Sequence, residues 1–350
     1  MKWKIAICGL GAAAHEIHLP AYKKVPSVEV VGGCDPRVDG GDFPFPVFDS
    51  VDKMIDRVRP DILSVVTPPS THFELAAVGL ESGCHVLCEK PFMPTMDQAD
   101  QIVKLSEKVG RHIVVNNQYR FMNIHEAAKH CIGTPEFGDL LFLSASQTFF
   151  VSEHTEDGWR GSDPQRTCKE FGIHVLDLAR YYFGEDPTAV YARMPKGKHP
   201  EGPDYLNLIQ LEFSGDRVAL ISLDRLSRGP HRYLDIRLDG SEAVVETSLG
   251  GKMELNAGIR GGTRRPYAGL DVSLGGRARL YRGEKYRKLA SDPLDLFAHA
   301  TSKLMAAFVE ALKRGTTPPC NGADNKRTLA LVFAAYESGA RNEPVIMQYQ

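Results

Sequence analysis

Apolar residues fall in short blocks, and the spacing between blocks changes about a third of the way along the chain. The first block, Lys4-Ile5-Ala6-Ile7-Cys8, reads as a short buried strand. A turn with three small positions follows at once: Gly9-Leu10-Gly11-Ala12-Ala13-Ala14. Residues 15–24 continue as a helix that Pro20 must make irregular or end early. Val28–Cys34 is a second strand, 40–48 a connection rich in Gly, Asp, Phe and Pro, and 50–58 a helix. Further strands are predicted over 61–66, His85–Cys88 and Ile113–Val115, with helices over 71–82 and 97–109. Short apolar runs alternating with amphipathic segments predict βαβ units around a parallel sheet.

The second part has a different rhythm. A helix is predicted over 124–133, closing near Gly133-Thr134-Pro135, then a strand-forming run over 140–150 and an amphipathic helix over 171–183. Strand-like runs follow at 187–193, 205–213, 217–224, 232–238 and 242–248, with turns such as Ser214-Gly215-Asp216 and Asp239-Gly240-Ser241. This pattern predicts a large, predominantly antiparallel sheet with a helix on one face. Residues 258–292 resist assignment because Gly and Arg interrupt them repeatedly. Two helices close the chain, over 294–314 and 323–340; Asp292-Pro293 starts the first and Lys313-Arg314-Gly315 ends it. The expected organisation is a dinucleotide-binding α/β domain over 1–123. An α+β substrate domain over 124–350 follows, and its C-terminal helices can pack back on the first.

Composition narrows the function. A formal charge of -2 gives no global electrostatic case for nucleic acid or an anionic membrane. No apolar run approaches the length of a transmembrane helix, and the start does not read as a signal peptide, so a cytoplasmic enzyme is expected. The seven cysteines are scattered and odd in number; Cys84 and Cys88 read as reduced thiols rather than as a disulfide or metal pair.

The chemistry concentrates after strands. Gly9 allows a tight turn, Gly11 leaves room for a pyrophosphate, and the small residues Ala12, Ala13 and Ala14 open a helix whose N–H groups can bind phosphate. Asp35 ends the second strand, where a carboxylate can accept hydrogen bonds from ribose hydroxyls and repel a 2′-phosphate. Arg37 could bind such a phosphate, so NAD is favoured and NADP is the alternative. Thr67 and Pro68 can pass close to the dinucleotide, and His72 either touches its rim or opens a helix. Lys90 could donate to a substrate oxygen, with Glu89 orienting it or lying near the nicotinamide; the alternative is a surface salt bridge. Glu170, His174 and Asp177 have helical spacing, so His174 can exchange a proton with the carboxylates tuning it or binding substrate. The competing reading is a capped helix with a buried polar histidine. A metal on these residues, completed by His154 or His199, is disfavoured because hydride transfer to nicotinamide needs none; no metal is expected.

Three segments together resemble the Gfo/Idh/MocA oxidoreductase family: the 9–14 loop, Glu89-Lys90-Pro91, and Gly172-Ile173-His174-Val175-Leu176-Asp177. The resemblance implies an N-terminal Rossmann domain and an NAD(P)-dependent dehydrogenase or reductase. It implies that Lys90 contacts the reactive alcohol and His174 handles its proton. It places Tyr119 and Arg120 near the domain junction, where they shape substrate or nicotinamide binding. The family's sugar and polyol dehydrogenases often carry Asp four residues before the histidine; here Glu170 stands there. Trp159 and Arg160 are weaker candidates for a sugar-binding loop. The implied substrate is a sugar, cyclitol or related polyol. Reduction of an imine or other small carbonyl is one alternative, and a non-catalytic nicotinamide-binding regulatory protein is another. A homo-oligomer, dimer or tetramer, is implied through the outer face of the second sheet.

Overall fold

Both faces of the first strand are apolar, and a strand of that kind belongs in the middle of a covered parallel sheet. In a computed structural model of the chain, β1 (Trp3–Cys8) has Ile5 through Cys8 buried and pairs on both sides. The structure describes residues 2–37, 43–151, 163–196, 203–229, 232–260 and 265–349. His154, Trp159, Arg160 and His199 lie outside them.

The strands β2 (Val28–Cys34), β3 (Val47–Phe48), β4 (Ile62–Val65), β5 (His85–Cys88) and β6 (Ile113–Val115) complete a parallel sheet in the order β3-β2-β1-β4-β5-β6. This is a Rossmann fold, and the order reverses between β1 and β4. Ligands bind at such a switch point, outside the carboxyl ends of the strands. Gly9, Thr67, Glu89 and Asn116 follow β1, β4, β5 and β6, so the candidate residues converge there because of topology. The crossover helices are α1 (Leu19–Lys23), α2 (Val51–Val58), α3 (His72–Glu81) and α4 (Met96–Val109). The irregularity expected at Pro20 is a π-turn over Ala14–His18 leading into α1, whose first turn holds the proline. Proline has no N–H to give to the turn before it, so it is best tolerated there.

After α5 (Asn123–Cys131) the chain builds a nine-stranded sheet. Its strands are β7 (Leu140–Thr148), β8 (Ala189–Arg193), β9 (Leu206–Glu212), β10 (Val218–Asp224), β11 (Arg232–Gly240), β12 (Val244–Leu249), β15 (Gly276–Arg282), β16 (Lys285–Asp292) and β17 (Val345–Ile346), in the order β16-β15-β12-β11-β7-β10-β9-β8-β17. Only β7 and β10 pair in parallel; the other neighbours are antiparallel. Strands β13 (Lys252–Arg260) and β14 (Arg265–Ser273) pair with each other. The described part of the unassigned stretch is therefore mostly strand. Its last strand, β16, is exposed along most of its length and shows no alternation to read.

Helix α6 (Ile173–Phe183) covers the inner face, packing Ile173, Leu176, Ala179 and Tyr182 with Leu143, Ile209, Ile221 and Ile236. The C-terminal helices α7 (Leu296–Arg314) and α8 (Gly322–Arg341) reach both sheets. Leu304, Met305, Phe308 and Val309 join the core of Ile5, Ile7 and Val114, while Leu296 and Ala300 join the second core. Each large apolar side chain buried this way contributes about 1.5–3 kcal/mol. These contacts hold the nine-stranded sheet against the ends of the parallel strands. All seven cysteines are free. Among the described residues, no helix is long and apolar enough to cross a membrane.

Candidate functional site

A cavity of about 710 Å³ opens at the ends of the parallel strands. Its cofactor side begins at Gly9, whose φ of +91° favours glycine and where a Cβ would stand 2.3 Å from the Val66 carbonyl oxygen. Gly11 faces open space, and Ala12 and Ala13 line the same wall. Asp35 is buried at the end of β2 and accepts from the Leu10 and Arg37 backbone N–H groups, each at 3.0 Å. Burial pushes its carboxyl up, but those two N–H groups and the Arg37 guanidinium outweigh it and hold the group below the usual carboxylate range. Arg37 itself extends into solvent. Thr67 and Pro68 line the opposite wall. A glycine loop, an ionised carboxylate one strand over and a cavity of this size fit a dinucleotide.

Glu89 and Lys90 occupy the floor, with a cis bond between Lys90 and Pro91. Glu89 is not part of a surface salt bridge. Its Oε1 lies 2.7 Å from both His18 Nε2 and Asn116 Nδ2, and its Oε2 accepts from the Lys90 backbone N–H at 3.1 Å. Burial pushes this carboxyl up; the His18 bond, the His18 and Lys90 charges and Asn116 overcome it and bring it down to about 2. His18 in turn contacts the Tyr22 hydroxyl at 2.9 Å, and that hydroxyl contacts Ser64 Oγ at 2.6 Å. The Lys90 ammonium donates to the Glu170 carbonyl oxygen at 3.0 Å, which ties the first sheet to the start of α6.

His174 faces the same cavity from α6. Its ring lies parallel to that of Tyr119, with centroids 4.0 Å apart and planes 5° apart. Burial pushes its imidazole well below the usual value, the Lys90 charge adds to this, and Glu89 opposes it. His174 is therefore neutral near pH 7 and can accept a proton. Glu170 lies in a π-turn over Cys168–Gly172, lines the cavity, and has its carboxylate 3.4 Å from Arg166 Nε.

Three expected residues sit elsewhere. His72 is fully buried with its ring nitrogens 2.9 and 3.0 Å from the Thr67 and Pro91 carbonyl oxygens, so it packs behind two loops instead of touching a cofactor rim. Arg120 turns away from the cavity to grip both Asp177 oxygens, at 2.6 and 2.7 Å, and to bond Asp324 on α8 at 2.8 Å. Asp177, also bonded by Thr328 at 2.9 Å, does not orient His174; its helical spacing is right, but the half-buried Arg120 guanidinium takes its charge. Sequence reasoning missed His18 and Asn116, which only the tertiary fold brings to Glu89. It also missed Tyr233 on β11 and took Phe297 on α7 as packing alone, yet both line the cavity beside Tyr119. Among the described residues, no three His, Cys, Asp or Glu side chains stand together as metal ligands would.

Residues 3–117 match the model of an oxidoreductase family with an NAD-binding Rossmann fold, and 125–246 match the GFO/IDH/MocA C-terminal domain. The chain belongs to the GFO/IDH/MocA family. Like other GFO/IDH/MocA proteins it is an NAD(P)-dependent dehydrogenase or reductase. A D-apiose dehydrogenase from Paraburkholderia graminis is 24% identical over 98% of this chain and 89% of its own length. A D-glucoside 3-dehydrogenase from Escherichia coli is 28% identical over 52% of this chain and 54% of its own length. Among solved structures, an Agrobacterium radiobacter oxidoreductase in complex with NAD+, L-tartaric acid and magnesium superposes with a TM-score of 0.80. It is 19% identical and covers 99% of this chain and 98% of that one. At that identity the likeness concerns the fold.

Proposed function

We propose that this enzyme reversibly oxidises a secondary hydroxyl on a sugar, cyclitol or related polyol, with NAD as the preferred cofactor. The observation that carries the reading is the convergence of Lys90 and a neutral His174 on the cavity that holds the glycine loop and Asp35. The sugar dehydrogenases among the relatives support the substrate class. NAD, when bound, supplies the two-electron acceptor for the substrate carbon's hydride.

His174 takes the hydroxyl proton. The Lys90 ammonium, held at the cavity by the Glu170 carbonyl, stabilises the substrate oxygen as it gains carbonyl character. Glu89, fixed by His18 and Asn116, holds the Lys90 backbone in place. Glu170 and Tyr119 line the substrate side. Asp35 would hold the adenosine ribose of a bound dinucleotide, and its charge would disfavour a 2′-phosphate. A homo-oligomer, dimer or tetramer, is part of the same reading; exposed Leu208 and Leu220 on the outer sheet face support it, and light scattering tests it.

The test is NADH formation from NAD across a panel of sugars, cyclitols and polyols, with imines and small carbonyls assayed in the reducing direction. Substrate-dependent NADH supports the reading, with Lys90→Met and His174→Ala each lowering kcat by about 10²-fold or more. Turnover only of imines or small carbonyls would replace the substrate class, and normal turnover in both variants would remove the residue roles.

A further inference from the structure

We propose that Tyr119 is a positioning residue for His174: its ring face holds the imidazole in place and meets the positive charge that the imidazole gains. This rests on His174 being the base of the proposed reaction. A catalytic histidine is ordinarily oriented by a carboxylate or carbonyl on the ring nitrogen remote from the substrate. Here His174 Nδ1 is buried with no hydrogen-bond partner among the described residues. Asp177, the carboxylate one turn along, is held by Arg120 and Thr328. The imidazole is instead stacked on the Tyr119 face, at 4.0 Å and 5°.

Tyr119 is itself well fixed. It is buried in a 3₁₀ turn over Gln118–Phe121. Beyond it the His125 ring lies nearly parallel, at 6.4 Å and 10°. Phe297 packs at 5.9 Å, and the Tyr233 hydroxyl is 3.4 Å from the Tyr119 hydroxyl. Burial keeps the Tyr119 hydroxyl protonated and His125 neutral, so neither adds a competing charge.

When His174 takes the hydroxyl proton it becomes a cation in a buried site. The charged groups around it are Lys90, which opposes the cation, and Glu89, which favours it; Glu170 stands in the π-turn that leads into its helix. An aromatic face in contact with a cation attracts it through the ring quadrupole, and more strongly where water is excluded. Tyr119 thus supplies both orientation and charge stabilisation where a carboxylate would otherwise do so.

The test uses the full-length enzyme with ring-labelled histidine, following the His174 imidazole titration by NMR and assigning it with His174→Gln. Tyr119→Leu should move that titration down by about half to one unit. It should lower kcat by about tenfold or more while changing the KM for NAD by less than about threefold. Tyr119→Phe keeps the ring and should recover most of both losses. Pentafluorophenylalanine at 119 keeps the shape but inverts the quadrupole, so it should lower the titration even if the leucine variant folds poorly. An unmoved titration in the leucine and fluorinated proteins would overturn the proposal, as would a phenylalanine variant no better than leucine. If His174→Gln keeps full turnover while the titration responds to residue 119, the base assignment fails and the stacking role stands.

Discussion

Replacing His18 with leucine removes the imidazole from the buried Glu89 network without opening a large cavity. His18 is fully buried, and both its nitrogens are engaged, at 2.7 Å to Glu89 and 2.9 Å to Tyr22. Leucine makes neither bond. Burial pushes the Glu89 carboxyl up, yet its partners bring it from 4.5 down to about 2. That net fall corresponds to roughly 3 kcal/mol in favour of the folded, ionised state. The Glu89 side chain is only 13% exposed, so solvent screens little of it. Asn116 and the Lys90 N–H would remain, but the burial cost would remain too, so the variant should lose about 2–3 kcal/mol at pH 7. The sign follows from the depressed value: the stabilisation is fully present above about pH 4.5 and is lost as pH falls towards 2. Urea denaturation followed by circular dichroism at pH 7 and at pH 3.5 measures it, with the wild-type minus variant difference cancelling the other carboxylates. A difference under about 0.5 kcal/mol at pH 7, or one that does not shrink on acidification, would refute the reasoning. Activity should fall as well, since Glu89 anchors the Lys90 backbone.

Asp35→Ala removes the acceptor at the ribose position and should shift the NADP-to-NAD ratio of kcat/KM towards NADP by about tenfold or more; steady-state assays with both cofactors decide it. Because burial and Lys90 hold the His174 imidazole well below its usual range, alcohol oxidation should not decline between pH 8 and 6.5 through loss of the base. A pH profile of kcat/KM with an acid limb near 6.5 that His174→Gln abolishes would contradict this. Arg120→Leu leaves Asp177, 1% exposed, without its main counter-charge and should cost about 3–5 kcal/mol of stability in denaturant melts. A cost below about 1 kcal/mol would mean that the Asp177 pairing contributes little.

The chain order of apolar blocks determined the parallel sheet, because a strand buried on both faces and followed by an amphipathic helix has few other solutions. It also marked Gly9, Asp35, Lys90 and His174, since each stands directly after a strand or on a strongly patterned helix. The strands within 258–292 were illegible because Gly and Arg interrupt them repeatedly and the last of them, β16, is exposed along most of its length. What only tertiary structure decided is partnership. Helical spacing put Asp177 beside His174, but a guanidinium from the 118–121 turn claims that carboxylate. For Glu89 the sequence left open a role beside Lys90 or the nicotinamide and a surface salt bridge; His18 and Asn116, from distant helix and strand ends, make it a buried ion. Sequence separation carries no information about such pairs: a charge buried at long range binds whichever counter-charge the packed sheets and helices bring within hydrogen-bond distance.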